Sequence, residues 1–149
     1  MTEPTTTGPW KEGRLCAATL LYINPTETQM AWVAANHQAV GIRATVVGAP
    51  DAFASELRAR NWDLREQPPE PGTAAPAKRS GVTADRVREH VAADKATGAW
   101  SAWEWDRDRL DTLGAEAHAS LLRWLGEEHA RVWCAPLRDI ADWKQTHGS

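Results

Sequence analysis

Three side chains of this sequence have the types needed for proton transfer. Glu104 and Asp106 lie two residues apart at the end of the run Trp100 to Asp106, and Tyr22 lies near the end of an early apolar run. Side chains alternate along a strand, so Trp100, Ala102, Glu104 and Asp106 share one face, and if that face points inward the two carboxylates meet at the mouth. Two carboxylates so close would raise the pKa of one and divide into an acid and a base. A plainer reading competes with this one. Asp106 also opens the polar run Asp106-Arg107-Asp108-Arg109, where it would be solvated while Glu104 pairs with an arginine. Tyr22, with an ordinary pKa near ~10, is a poor base at neutral pH.

Metal and thiol chemistry have weaker signals. His37, His90, His118, His129 and His147 fall on or beside different helical segments, and none has a partner at i, i+4. No metal site and no cofactor are expected. His118 reads as a packed helix residue. Cys16 and Cys134 read as free thiols, and Cys134, with no histidine beside it, reads as buried and inert. Nine tryptophans accompany one Tyr and one Phe; most read as large core fillers, while some could line a pocket or contact a partner. Trp62, Trp100, Trp103, Trp105 and Trp133 are therefore candidates to line a pocket, with Asn24, Arg65 and Gln67 as polar contacts at strand ends.

These residues are positioned by an alternation of strands and helices. Leu15 to Ile23 is a short apolar run broken by Asn24-Pro25, as a buried strand would be. Thr26 caps a helix that Gly41 stops, with Met30, Val33, Ala34 and His37 on related faces. Ile42 to Val47 is a second strand, Asp51 to Arg60 a helix, and Trp62 to Glu66 a third strand. The prolines of Gln67 to Ser80 mark an exposed linker within a single domain spanning 15–149, after a flexible segment 1–14. A helix from Thr83 to Gly98, a strand from Trp100, a helix from Ala115 to Glu128, a strand from Arg131 to Ala135 and a helix from Leu137 follow. The alternation predicts an α/β fold with a parallel sheet of about five strands and flanking helices.

The order and spacing of several segments carry a resemblance. Leu20-Leu21-Tyr22-Ile23-Asn24-Pro25, Gly41-Ile42-Arg43-Ala44-Thr45-Val46-Val47 and Asn61-Trp62-Asp63-Leu64-Arg65-Glu66-Gln67 come in this order early in the chain. Ala99-Trp100 and Val132-Trp133-Cys134-Ala135-Pro136-Leu137 come late. Together they resemble the two ends of a polysaccharide deacetylase of carbohydrate esterase family four, with the middle of its barrel replaced by the Pro-rich linker. The resemblance implies an incomplete (β/α) barrel with strand order 3-2-1-5-4, the closing strand at Arg131 lying between the first strand and the one at Trp100. It also implies that the chemistry is gone. The family's metal-binding Asp and two His fall on Ile23, Gln67 and Pro71, its base on Tyr22 and its late His on Asp106. In-register first and last strands would hold Cys16 and Cys134 roughly 13 Å apart, too far for a disulfide.

Two functions follow as expectations. The first is a metal-free pseudoenzyme that binds a small molecule, a glycan or a protein partner in a Trp-lined concave face. The second is a metal-independent cyclase, isomerase or dehydratase of small-molecule biosynthesis using Glu104, Asp106 and Tyr22. An open half-barrel would leave its concave face bare, so a homodimer that covers it is expected. A formal net charge of −3, without a basic cluster, argues against nucleic acid. No apolar run approaches the ~20 residues of a membrane span, and Met1 to Lys11 lacks the features of a secretion signal, so the expected location is cytoplasmic.

Overall fold

A computed structural model describes residues 10–67, 77–80 and 83–147. After a short turn at Lys11–Gly13, the strands are β1 (Cys16–Ile23), β2 (Thr45–Val47), β3 (Asp63–Arg65), β4 (Ala77–Ser80), β5 (Trp100–Trp105) and β6 (Val132–Cys134). The helices are α1 (Glu27–Val40), α2 (Asp51–Ala59), α3 (Ala84–Thr97), α4 (Arg107–Leu113), α5 (Ala115–Glu127) and α6 (Leu137–His147). All strand pairs are parallel, and the sheet runs β3-β2-β1-β5-β4 with β6 also paired to β1. The α/β fold expected from the sequence is present, with helices flanking a parallel sheet.

The helix boundaries come from local chemistry. Thr26 Oγ1 accepts the Gln29 backbone N–H at 3.1 Å, and Gln29 Oε1 accepts the Thr26 N–H at 3.0 Å, a reciprocal cap that starts α1. Gly41 ends it at φ 72°, a left-handed conformation that glycine adopts without strain. Thr83 Oγ1 accepts the Arg86 N–H at 3.2 Å to start α3, and Gly98 ends that helix at φ 73°.

The sheet departs from the expected order. β5 pairs directly with β1 along Ala17↔Trp100 to Tyr22↔Trp105, so β6 does not separate them. Instead β6 takes the amino half of the other edge of β1, at Cys16↔Val132 to Ala18↔Cys134. On the same edge β2 takes the carboxyl half, at Leu21↔Thr45 to Ile23↔Val47. The eight residues of β1 give room for two three-residue strands end to end. The first and last strands are neighbours, as expected, but Cys134 lies opposite Ala18. Both cysteines are free, and their offset is two residues, ~7 Å along the strand rather than ~13 Å.

Two other expectations need correction. The last four residues of the supposed linker, Ala77–Ser80, form β4 on the edge of β5. The polar run after Trp105 is the helix α4 rather than a loop, because Asp106 accepts the Arg109 N–H at 2.9 Å and caps it.

Both faces of the central strand are buried. Cys16, Ala18, Leu20 and Tyr22 pack with Met30 and Val33 of α1, Val87 and Val91 of α3 and Leu121, Leu122 and Leu125 of α5. On the other face, Ala17 joins Trp10, Trp100, Ala135, Leu137 and Ile140 beneath α6. Thr19, Leu21, Thr45, Val47 and Ala102 on that face are also buried. The bare concave face expected of a half-barrel is therefore not found at these positions, and the homodimer loses that reason for forming.

Helix α6 is fixed to the sheet by polar groups. Leu137 N–H donates to Thr45 Oγ1 at 2.8 Å, and Thr45 Oγ1–H donates to Asp63 Oδ2 at 3.2 Å. The same carboxylate oxygen accepts Arg138 N–H at 3.1 Å and Arg65 Nε at 3.0 Å. Side chains from β2 and β3 thus satisfy backbone donors of a helix 92 and 75 residues away in sequence, and Asp63 places a negative charge at its positive end.

Candidate functional site

The most concentrated polar chemistry is under the helices, where β1, α1 and α5 meet. Tyr22 points from β1 into the helix-covered core, and no part of its side chain reaches solvent. Its hydroxyl lies 2.7 Å from His37 Nε2 and 2.6 Å from His118 Nε2. Both histidines fall on the apolar faces of their helices, beside Val33 in α1 and Leu121 and Leu122 in α5. Trp105 stacks on the Tyr22 ring with centroids 5.7 Å apart, while Trp62 and Trp32 contact His37 and His118 edge-on at 5.0 and 5.2 Å.

Hydrogen-bond partners fix the protons. Ile42 O can only accept, so His37 Nδ1 carries the hydrogen that donates to it at 3.0 Å. His37 Nε2 is then bare and accepts the Tyr22 O–H. The Tyr22 oxygen accepts from His118 Nε2–H, which leaves His118 Nδ1 to accept Asn36 Nδ2–H at 3.0 Å. Asn36 also donates to Ala115 O at 3.2 Å. The chain is fully satisfied with every member neutral. Burial lowers the His37 pKa to about 3. His118 falls to about 2, from burial and then from the neighbouring His37. Burial, and to a lesser degree Cys134, raises the Tyr22 pKa well above its usual value.

The second polar region is the mouth at the carboxyl ends of the strands, where ligands of parallel sheets collect. Ile23, Asn24, Asp106, Arg107 and Asp108 line an open depression of about 440 Å³ there. Asn24 adopts φ 48°, its N–H donates to Val47 O at 2.7 Å, and its carbonyl accepts Arg107 Nε at 2.6 Å. Any Cβ on Gly48 would fall on Asn24 Oδ1, so the glycine lets the amide lie against the β2 turn.

Comparison with protein-family models, with curated proteins and with solved structures finds no match. The site must be read from its own geometry.

That geometry separates the residues that the sequence grouped. Tyr22 and Glu104 are on opposite faces, because Tyr22 is opposite Trp105 and Glu104 opposite Leu21. Asp106 does not continue the face of Glu104. The strand ends at Trp105, and Asp106 turns to cap α4 and to pair with Arg109 at 3.2 Å. The paired-carboxylate arrangement is thus not formed on one strand face. Of the polar contacts, Asn24 lines the mouth, Arg65 is bound to Asp63 at the end of β3, and Gln67 is exposed beyond it.

The tryptophans divide between two cores. Trp62, Trp103 and Trp105 pack under the helices. Trp100 and Trp133 lie on the opposite face, at the amino end of β1, with Trp10 and Trp143. One shared Trp-lined concavity is therefore not what these five residues build. Ile23, which the resemblance set against a metal-binding Asp, is half-buried beside the mouth, and Pro71 lies outside the described residues. Among the described residues no three of His, Cys, Asp and Glu gather as metal ligands would. No helix among them is long and apolar enough to cross a membrane.

His37 and His118 as partners of Tyr22 were not anticipated. The available signal was a polar side chain on the apolar face of each helix together with a lone tyrosine in the central strand.

Proposed function

We propose that this chain is a metal-free, polysaccharide-deacetylase-like protein with an incomplete barrel that binds a glycan without turning it over, at the mouth formed by Ile23, Asn24, Asp106, Arg107 and Asp108. The observation that carries this reading is the mouth itself. It is open, lies at the carboxyl ends of the strands, and combines an amide, a guanidinium and two carboxylates around one apolar residue. Such groups match the paired donors and acceptors of sugar hydroxyls.

Binding is favoured over acid–base catalysis because the proposed catalytic groups do not converge on one reacting atom. Tyr22 is enclosed between two histidines in the core, Glu104 lies on the opposite face of the sheet, and Asp106 turns away from the strand to cap α4. A titration with N-acetylglucosamine oligomers, followed by calorimetry and by amide shifts, tests the proposal. Shifts should centre on Asn24 and Arg107, and Asn24→Gly with Asp108→Ala should weaken binding at least about tenfold, as loss of hydrogen-bonding groups in a polar site does. An absence of binding, or binding that ignores both changes, would refute it. Turnover of the oligomer that disappears in Glu104→Gln would restore the catalytic alternative.

A further inference from the structure

We propose that Tyr22, His37 and His118 form an acid-released latch that holds α1 and α5 onto β1. One hydroxyl receives an imidazole from each of two helices, so a single group on the sheet ties both of them down. The bonds are directional. A proton added to His37 Nε2 would face the Tyr22 O–H, donor against donor. A proton added to His118 Nδ1 would face the Asn36 amide, and rotating that amide to accept it would sacrifice the bond to Ala115 O. Neither imidazole can charge without breaking the chain at a helix.

The surroundings offer a charge no compensation. The titratable groups facing the cluster are Tyr22 from β1, His37 from α1, His118 from α5 and Cys134 from β6. Trp32, Trp62 and Trp105 form further walls. Every hydrogen bond the cluster makes among the described residues is to a neutral group. Undocking the helices places both imidazoles in water, where they protonate near the ordinary value of 6.5.

The sign follows from linkage. The folded pKa values lie below the unfolded ones, so the open form binds more protons. The latch is fully effective above about pH 6.5 and weakens as the pH falls toward 3. Between pH 7 and pH 5 each imidazole should shift the closed-to-open ratio roughly 25-fold toward open, and the pair several hundredfold. Few carboxylates titrate across that interval, and the two histidine variants separate the latch from the other histidines of the chain.

Two measurements on the full chain test the latch. Urea unfolding between pH 7 and pH 5, followed by tryptophan emission, should show stability falling with acid. His37→Gln and His118→Gln should each remove about one proton of that dependence, and the double change should flatten it. An unchanged slope in either single variant would overturn the proposal. Should the variants not fold, nitrogen shifts of the wild-type imidazoles decide. His37 should be the Nδ1–H tautomer and His118 the Nε2–H tautomer, and neither should titrate in the folded protein down to pH 5. Like tautomers, or a folded-state midpoint near 6.5 for either ring, would overturn it.

Discussion

At the scale of single residues, the Tyr22 hydroxyl has the most consequence for its size. It donates to one histidine and accepts from another in a site without water contact. Tyr22→Phe would keep the ring and its stacking on Trp105 but leave a bare imidazole nitrogen and an imidazole N–H buried without partners. Unsatisfied buried groups cost about 1–3 kcal/mol each, so the variant should lose about 2–6 kcal/mol in urea unfolding at pH 7.5. A loss below half a unit would mean that the two histidines find other partners. The sequence marked Tyr22 as a notable residue for the wrong reason, as a weak base at a mouth. Its direction along β1 points it into the core, and that direction is set by the pairing with Trp105 and Val46.

Among elements, α6 shows how distant side chains complete a helix. Thr45 stands between the Leu137 N–H and the Asp63 carboxylate, and Asp63 also receives the Arg138 N–H. Thr45→Val keeps the shape and removes the relay, which should cost about 1–3 kcal/mol through the orphaned Leu137 donor. Hydrogen exchange should quicken at Leu137 and Arg138 and stay unchanged at Met30 in α1. Uniform acceleration across the chain would show that the relay stabilises the whole fold rather than the docking of α6. Sequence boundaries for α1 and α3 matched closely, because Thr26, Gln29, Gly41, Thr83 and Gly98 act within one turn of the helix end. The helix α4 and the strand β4 were missed. Their cause lies in the Asp106 cap and in an edge of β5 that a proline-rich composition does not reveal.

For the whole molecule, the decisive fact is that β1 is covered on both faces. Cys16 reports on this, since it is fully buried at the start of β1. Burial, followed by the charge of Asp94, pushes its thiol pKa up to about 12. At pH 8 almost no thiolate exists there, and the sulfur is reached only when the sheet opens. Alkylation of Cys16 should therefore proceed at the rate set by global unfolding and should accelerate with urea in proportion to it. Fast modification in the absence of denaturant would show that β1 opens locally.

The sequence by itself determined the parallel α/β class and the ends of the best-capped helices. These depend on hydrophobic period and on caps a few residues long. Only the tertiary structure decided that β5 adjoins β1 directly, that Glu104 faces away from Tyr22, and that the tryptophans fall into two separate cores. Strand order and facing depend on register between residues some eighty positions apart, as in Ala17↔Trp100. A one-residue change in register or in the end of a strand sends a side chain to the opposite face, and no local pattern along the chain records which alternative is chosen.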